Sequence, residues 1–216
     1  ACAVCGARPA TACITGRAHS ARDTQAAFRA MLTGAEDEAS RTARLALLSL
    51  LYEVAITPKP GLVDRADNGA HDDMDFFTFM RSAAAIAPYF AQCAAVGQRA
   101  DVPIDALLGH LRPLGLLAEQ AMARETGGVN THKGLIFSLG ILCAAAGRLS
   151  SSRNAEELCA LAGQIARPAL DDVADTSHGG RVRQQYGGMG ARGEAAAGFP
   201  SALAALPVLR DAMSRG

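Results

Sequence analysis

Alanine and leucine recur at helical spacing through most of this chain, and each helical stretch ends in a polar connection bearing glycine or proline. That alternation limits the fold more than any single residue does. Alanine, leucine and arginine favour helix, while the β-branched runs that build strands are scarce. Aromatics make up only 5% of the 216 residues and tryptophan is absent, so the helices must pack through small side chains at close range. The expected fold is all-α: one multi-helix domain whose polar, Gly-rich loops converge on one site.

The helical pattern first runs from about Glu36 to Ile56, apolar almost all round beyond Arg44, as a central buried helix would be. TPKPGLVDR, residues 57–65, ends it, because Pro58 and Pro60 fix φ and bar a regular helix. After NGAHDDMD, residues 68–75, helix resumes through Phe79, Met80, Ala83, Ala87 and Phe90, and Gly97 is expected to stop it. Residues 103–124 read as helix with a kink or break at Pro113. ETGGVNTHKG, residues 125–134, leads into Leu135, Ile136, Leu139, Leu142, Cys143 and Ala146 at helical spacing. Asn154 with Glu157 predicts a cap for a helix reaching about Val173, with a kink at Pro168. A glycine-rich polar segment, YGGMGARGEAAAGFP at residues 186–200, precedes a final short helix. Residues 1–34 form a separate cysteine-containing tail with a short helix, which Ser20 and Asp23 cap. The domain proper is 35–216.

Lys+Arg and Asp+Glu both number 21, so the net charge is zero, which argues against a nucleic-acid coat or a polybasic membrane patch. No apolar run reaches spanning length and the N-terminus lacks a signal-peptide core, so a cytoplasmic protein is expected. Cys93, Cys143 and Cys159 lie singly in apolar patterns as buried thiols. Cys2, Cys5, Cys13 and His19 read C-x2-C-x7-C-x5-H, the donor set of a Cys₃His Zn²⁺ site; free thiols in a tail are the alternative.

The polar connections carry the chemistry. In GGVNTHKG, a helix start offers free N–H donors and a partial positive charge, to which Lys133 adds a full one. Asn130, Thr131 and Lys133 thus suit a phosphate, although a plain helix cap at Asn130 or Thr131 reads equally well. In the later segment Gly190 permits close backbone approach and Arg192 can grip a phosphate at two points; the alternative is a surface loop. His71 stands beside Asp72, Asp73 and Asp75, which suits Mg²⁺ or, more simply, an acidic first helical turn. The prolines on either side of Lys59 hold it in a stiff frame.

TPKPGLVDR, GAHDDMD, GVNTHKG and GARGEAAAGFP, in that order, resemble the triphosphoribosyl-dephospho-CoA synthase family over roughly residues 40–210. The tail, CAVCG then CITGRAHS, resembles the C-terminus of the citrate lyase holo-acyl-carrier-protein synthase through Cys2, Cys5, Gly6, Cys13, Arg17 and His19. The resemblance implies that ATP and 3′-dephospho-CoA are the substrates, with the citrate lyase acyl carrier protein machinery as partner. The 2′-hydroxyl of the dephospho-CoA attacks C1 of the ATP ribose, and adenine leaves. This is glycosyl transfer through an oxocarbenium-like transition state. It assigns phosphate contacts to Lys59, Arg65, Asn130, Thr131, Lys133, Gly190 and Arg192, and Mg²⁺ to Asp73 with Asp75. Glu53, Asp64 and Glu194 are the candidates for base or for stabilising the cationic sugar; His71 and His132 are those for assisting adenine. Family members continue past the Gly-Phe-Pro segment with another Asp-Thr-Asn-type motif, so the expectation is a C-terminally incomplete domain. The alternative function is a helical fragment that binds nucleotide or an assembly partner without turnover.

Overall fold

The computed structural model describes Ser20, Arg22 and residues 37–150, 154–171 and 190–215. The chain divides into two units, Ala1–Asp37 and Glu38–Gly216. The capping box at Ser20 and the zinc candidates Cys2, Cys5, Cys13 and His19 lie outside the described residues or depend on residues that do.

In the second unit the helices are α1 (Glu38–Ala55), α2 (Phe76–Gln98), α3 (Leu107–Thr126), α4 (Lys133–Leu149), α5 (Ala155–Ala166), α6 (Gly190–Ala196) and α7 (Pro200–Arg215), with 3₁₀ turns at Ile104–Ala106 and Arg167–Leu170. No strand occurs among the described residues. No described helix is long and apolar enough to cross a membrane.

The centre is α2, which packs against α1, α3 and α4. Ala83, Phe90, Cys93 and Ala94 are fully buried along it. Each large apolar side chain so buried contributes about 1.5–3 kcal/mol. The expectation that 36–56 is the central helix is corrected: α1 buries one stripe, Thr42, Ala46, Leu50 and Val54, while Leu45 and Tyr52 are exposed. α2 ends at Gln98, one residue past Gly97 and close to the expected stop, but Gly97 also has a packing role. A Cβ there would strike the Ala144 carbonyl, and one at Gly147 would strike that of Ala94, so both glycines let α2 and α4 touch backbone to backbone.

The helix runs on through Pro113 without a break, whereas Pro168 converts the end of α5 into a 3₁₀ turn. The Asn154 cap forms as expected, its side chain accepting from the Glu157 N–H at 3.0 Å. Residues 190–196 are helical, not loop. The thiols of Cys93, Cys143 and Cys159 are buried and free; burial pushes Cys93 up to about 12 and raises the other two.

Contacts fix the directions. Ser82 meets His132, and Gly97 meets Ala144, so α2 and α4 run parallel. Met122, near the end of α3, meets His132 at the start of α4, so α3 runs the other way. The first half of α1 faces the second half of α4 across a cavity, so α1 is also antiparallel to α4. An up-and-down order places the ends of α1 and α3 and the starts of α2 and α4 at one end of the bundle. The loops 56–75 and 127–132 therefore share that end.

Candidate active site at one end of the bundle

The first loop is built around Asp64. Its carboxylate accepts the backbone N–H of Lys59 at 2.9 Å, of Ala66 at 2.6 Å and of Asp67 at 3.2 Å. The residue is only 3% exposed. Those N–H donors, Ala66 first, hold its carboxyl below the usual carboxylate range. Asp64 thus knits the turn together. The stiff frame carries Lys59, whose Nζ sits 2.7 Å from Oε1 of Glu53 in the last turn of α1. Arg65 is exposed beside them. Residues 68–70 fold back on this turn: the Ala70 N–H donates to the Gly61 carbonyl at 3.3 Å. Gly69, at φ 58°, lies so close to Gly61 and Leu62 that a Cβ would come within 2.5 Å of backbone.

The acidic stretch leads into α2. His71 Nδ1 lies 3.4 Å from Asp73 Oδ1, and both side chains are exposed. Asp75 is the N-cap of α2. Its Oδ1 accepts the Thr78 N–H at 2.7 Å and the Thr78 hydroxyl at 2.6 Å, which lowers its pKa. No group of three or more His, Cys, Asp or Glu side chains stands close enough to hold a metal among the described residues.

The start of α4 supplies the buried part. His132 is 4% exposed and its Nδ1 is 2.7 Å from Ser82 Oγ. The Thr131 hydroxyl donates to the same Ser82 oxygen at 2.6 Å, and the His132 N–H donates to Met122 Sδ at 3.2 Å. Phe79 packs edge-on against the ring, with centroids 5.1 Å apart. Burial pushes His132 down to about 4, and the Glu53 carboxylate pulls partly the other way. Glu53 therefore acts on both Lys59 and His132. Asn130 Oδ1 accepts the Lys133 N–H at 3.1 Å, although the N-cap position itself is His132, which makes no side-chain cap bond, in place of the Asn130 or Thr131 cap expected. The Lys133 side chain is half-exposed and pairs with Glu119 at 3.2 Å.

Arg192 reaches the same region from α6. It lines a cavity of about 270 Å³ together with Glu119, Arg112, Tyr89 and Ile136. A Cβ built on Gly134 would lie 3.9 Å from that of Ala191, so α6 touches the first turn of α4. Gly190, at φ 56°, opens α6. Glu194 faces its own neighbour: it accepts the Ser201 N–H at 2.8 Å at the start of α7.

One connected set thus contains Glu53, Lys59, Asp64, Thr131, His132, Asn130, Lys133 and, through Glu119 and α6, Arg192. Among the described residues, the one ion pair of Asp73 is with His71, which keeps that pair at the rim. Ser82, Phe79, Met122 and Glu119 belong to the site and were not singled out from the sequence. A lone serine in FMRSAAAIA gives no signal by itself; its pairing with the GVNTHKG segment appears only when α2 and α4 meet.

Residues 39–216 match the family described as ATP:dephospho-CoA triphosphoribosyl transferase. A relative from Pectobacterium carotovorum subsp. carotovorum (strain PC1), a probable 2-(5''-triphosphoribosyl)-3'-dephosphocoenzyme-A synthase, is 43% identical over 178 residues, covering 78% of this chain and 59% of its own length. One of the same name from Albidiferax ferrireducens is 45% identical over 181 residues, covering 80% and 60%. Protein CitXG of Haemophilus influenzae is 40% identical over 176 residues, covering 74% of this chain and 38% of that protein. The chain therefore spans about three-fifths of the length of the first of these relatives. No solved structure matches the chain. With a family match that runs from the start of α1 through α7 and includes every residue of the connected set, this chain belongs to the ATP:dephospho-CoA triphosphoribosyl transferase family.

Proposed function

We propose that this bundle end transfers the 5-triphosphoribosyl group of ATP to the 2′-hydroxyl of 3′-dephospho-CoA, releasing adenine. One observation carries the reading: two parallel helices, α2 and α4, begin at the same end of the bundle, beside Lys59 and Lys133. Helix starts and lysines together favour a polyphosphate. Lys59, Lys133 and Arg192 hold the triphosphate, with Asn130 and Thr131 ordering the turn and Arg65 and Gly190 at the margin. Glu53, adjacent to Lys59, is the best-placed carboxylate to take the hydroxyl proton or face the cationic sugar. Asp64 and Glu194 act in support, because their carboxylates already accept backbone N–H groups.

Asp73 fits a Mg²⁺ that arrives on ATP. Its oxygens are hard donors at the exposed rim, and Mg²⁺ commonly binds one or two carboxylates plus substrate phosphates while keeping several waters. Oδ2 of Asp75, unused by the cap, assists. When bound, the ion would offset the charge of the triphosphate. The tail at residues 1–34 fits the end of a fused holo-acyl-carrier-protein synthase, which would place the chain beside the citrate lyase carrier-protein machinery in the cytoplasm.

The test is the product. ATP labelled in its ribose should pass label to dephospho-CoA, and ATP labelled in its base should yield free adenine only when dephospho-CoA is present. Release of ADP or phosphate in place of adenine would overturn the proposal.

A further inference from the structure

Ser82 has no evident reason to lie inside α2 except His132. It is fully buried, among apolar neighbours such as Ala83 and Ile86 on the same helix. Its oxygen accepts the Thr131 hydroxyl proton at 2.6 Å, which leaves its own proton for the ring nitrogen Nδ1 at 2.7 Å. A hydroxyl has one proton to give. The imidazole then carries its proton on Nε2, since the bond made by one ring nitrogen sets the state of the other. Nε2 has no hydrogen-bond partner among the described residues. Phe79 packs edge-on against the ring, and the His132 backbone N–H is anchored on Met122 Sδ. Glu53 is the one ionised side chain among the described residues that acts on the ring.

We propose that Ser82 is the positioning residue that fixes His132 as a neutral Nε2–H donor, so that the ring hydrogen-bonds the departing adenine and does not serve as a base. This rests on reading the bundle end as the transferase site. As the C1′–N9 bond breaks, its electron pair passes to the adenine, and charge builds on the ring nitrogens. The 2′-hydroxyl oxygen forms the new bond to C1′ and gives up its proton, while adenine takes up one proton from solvent, so the ring of His132 keeps its own. A preset donor aimed at developing charge stabilises the transition state without reorganising.

Nitrogen-15 NMR of histidine-labelled full chain tests the proposal directly, with the His132 signal identified by its loss in His132→Gln. The wild type should show the proton on Nε2, and Ser82→Ala should show a mixture of the two forms. In adenine-release assays Ser82→Ala should lower kcat on the order of tenfold or more, with both KM values within about twofold, as for loss of a preset donor. Ser82→Thr should restore most of kcat, and Thr131→Val should give an intermediate loss. An Nδ1 proton in the wild type overturns the proposal without any variant. So does Ser82→Ala with wild-type kcat and an unchanged ring. A chain that releases no adenine in any form would refute the functional reading, while the ring assignment would still be decided by the spectra.

Discussion

At His132, folding strips water from the imidazole and leaves too little compensating charge, so protonation is disfavoured until about pH 4. The folded pKa lies below the ordinary 6.5, so the unfolded chain binds more protons between those values. Stability from this group is full well above pH 6.5, falls progressively between 6.5 and 4, and is gone below about 4. Between pH 7.5 and pH 5 the loss amounts to about 2 kcal/mol. Urea unfolding at the two pH values should show that loss in the wild type and markedly less in His132→Gln; equal pH dependence would contradict the burial argument. Lys133→Ala addresses binding. The side chain is half-exposed, so stability should change within about 0.5 kcal/mol. Loss of a charged phosphate contact should cost about 1.5–3 kcal/mol of ATP affinity by calorimetry. Unchanged affinity would remove Lys133 from the site. Polar residue types in the loops were readable from the sequence. The use to which the backbone puts them was not: Asp64, Asp75 and Glu194 all spend carboxylate oxygens on N–H groups that only the folded turns create.

Helices behave as their periodicity predicts where one face decides the packing, and depart from it where backbone contact does. Residues 38–55, 76–98 and 133–149 form helices close to the expected bounds. Hydropathy could not say that α2, and not α1, sits in the middle, because an apolar helix without a partner looks the same as one with three. Gly97 read only as a stop and Gly147 gave no signal, yet together they let α2 and α4 meet backbone to backbone. Gly97→Ala or Gly147→Ala should each destabilise by about 1–3 kcal/mol through overpacking. Gly109→Ala, with nothing near its Cβ, should instead stabilise by roughly 0.5–1 kcal/mol. Denaturant midpoints moving the same way in all three would refute the close α2–α4 contact.

For the molecule as a whole, the up-and-down order does what no single motif does. It brings together loops separated by about fifty residues, because α2 and α4 run parallel. The order of the motifs along the chain was plain in the sequence; which of them share an end depended on helix directions that emerge only on packing. Where the substrate binds therefore decides whether this end of the bundle is the site. Hydrogen exchange of the chain with and without Mg-ATP and dephospho-CoA measures that directly. Protection should appear at residues 57–75 and 128–136 and leave α5 and α7 unchanged. Protection confined to α5, α7 or the α1–α4 cavity, with the loops unaffected, would contradict a site at this end of the bundle.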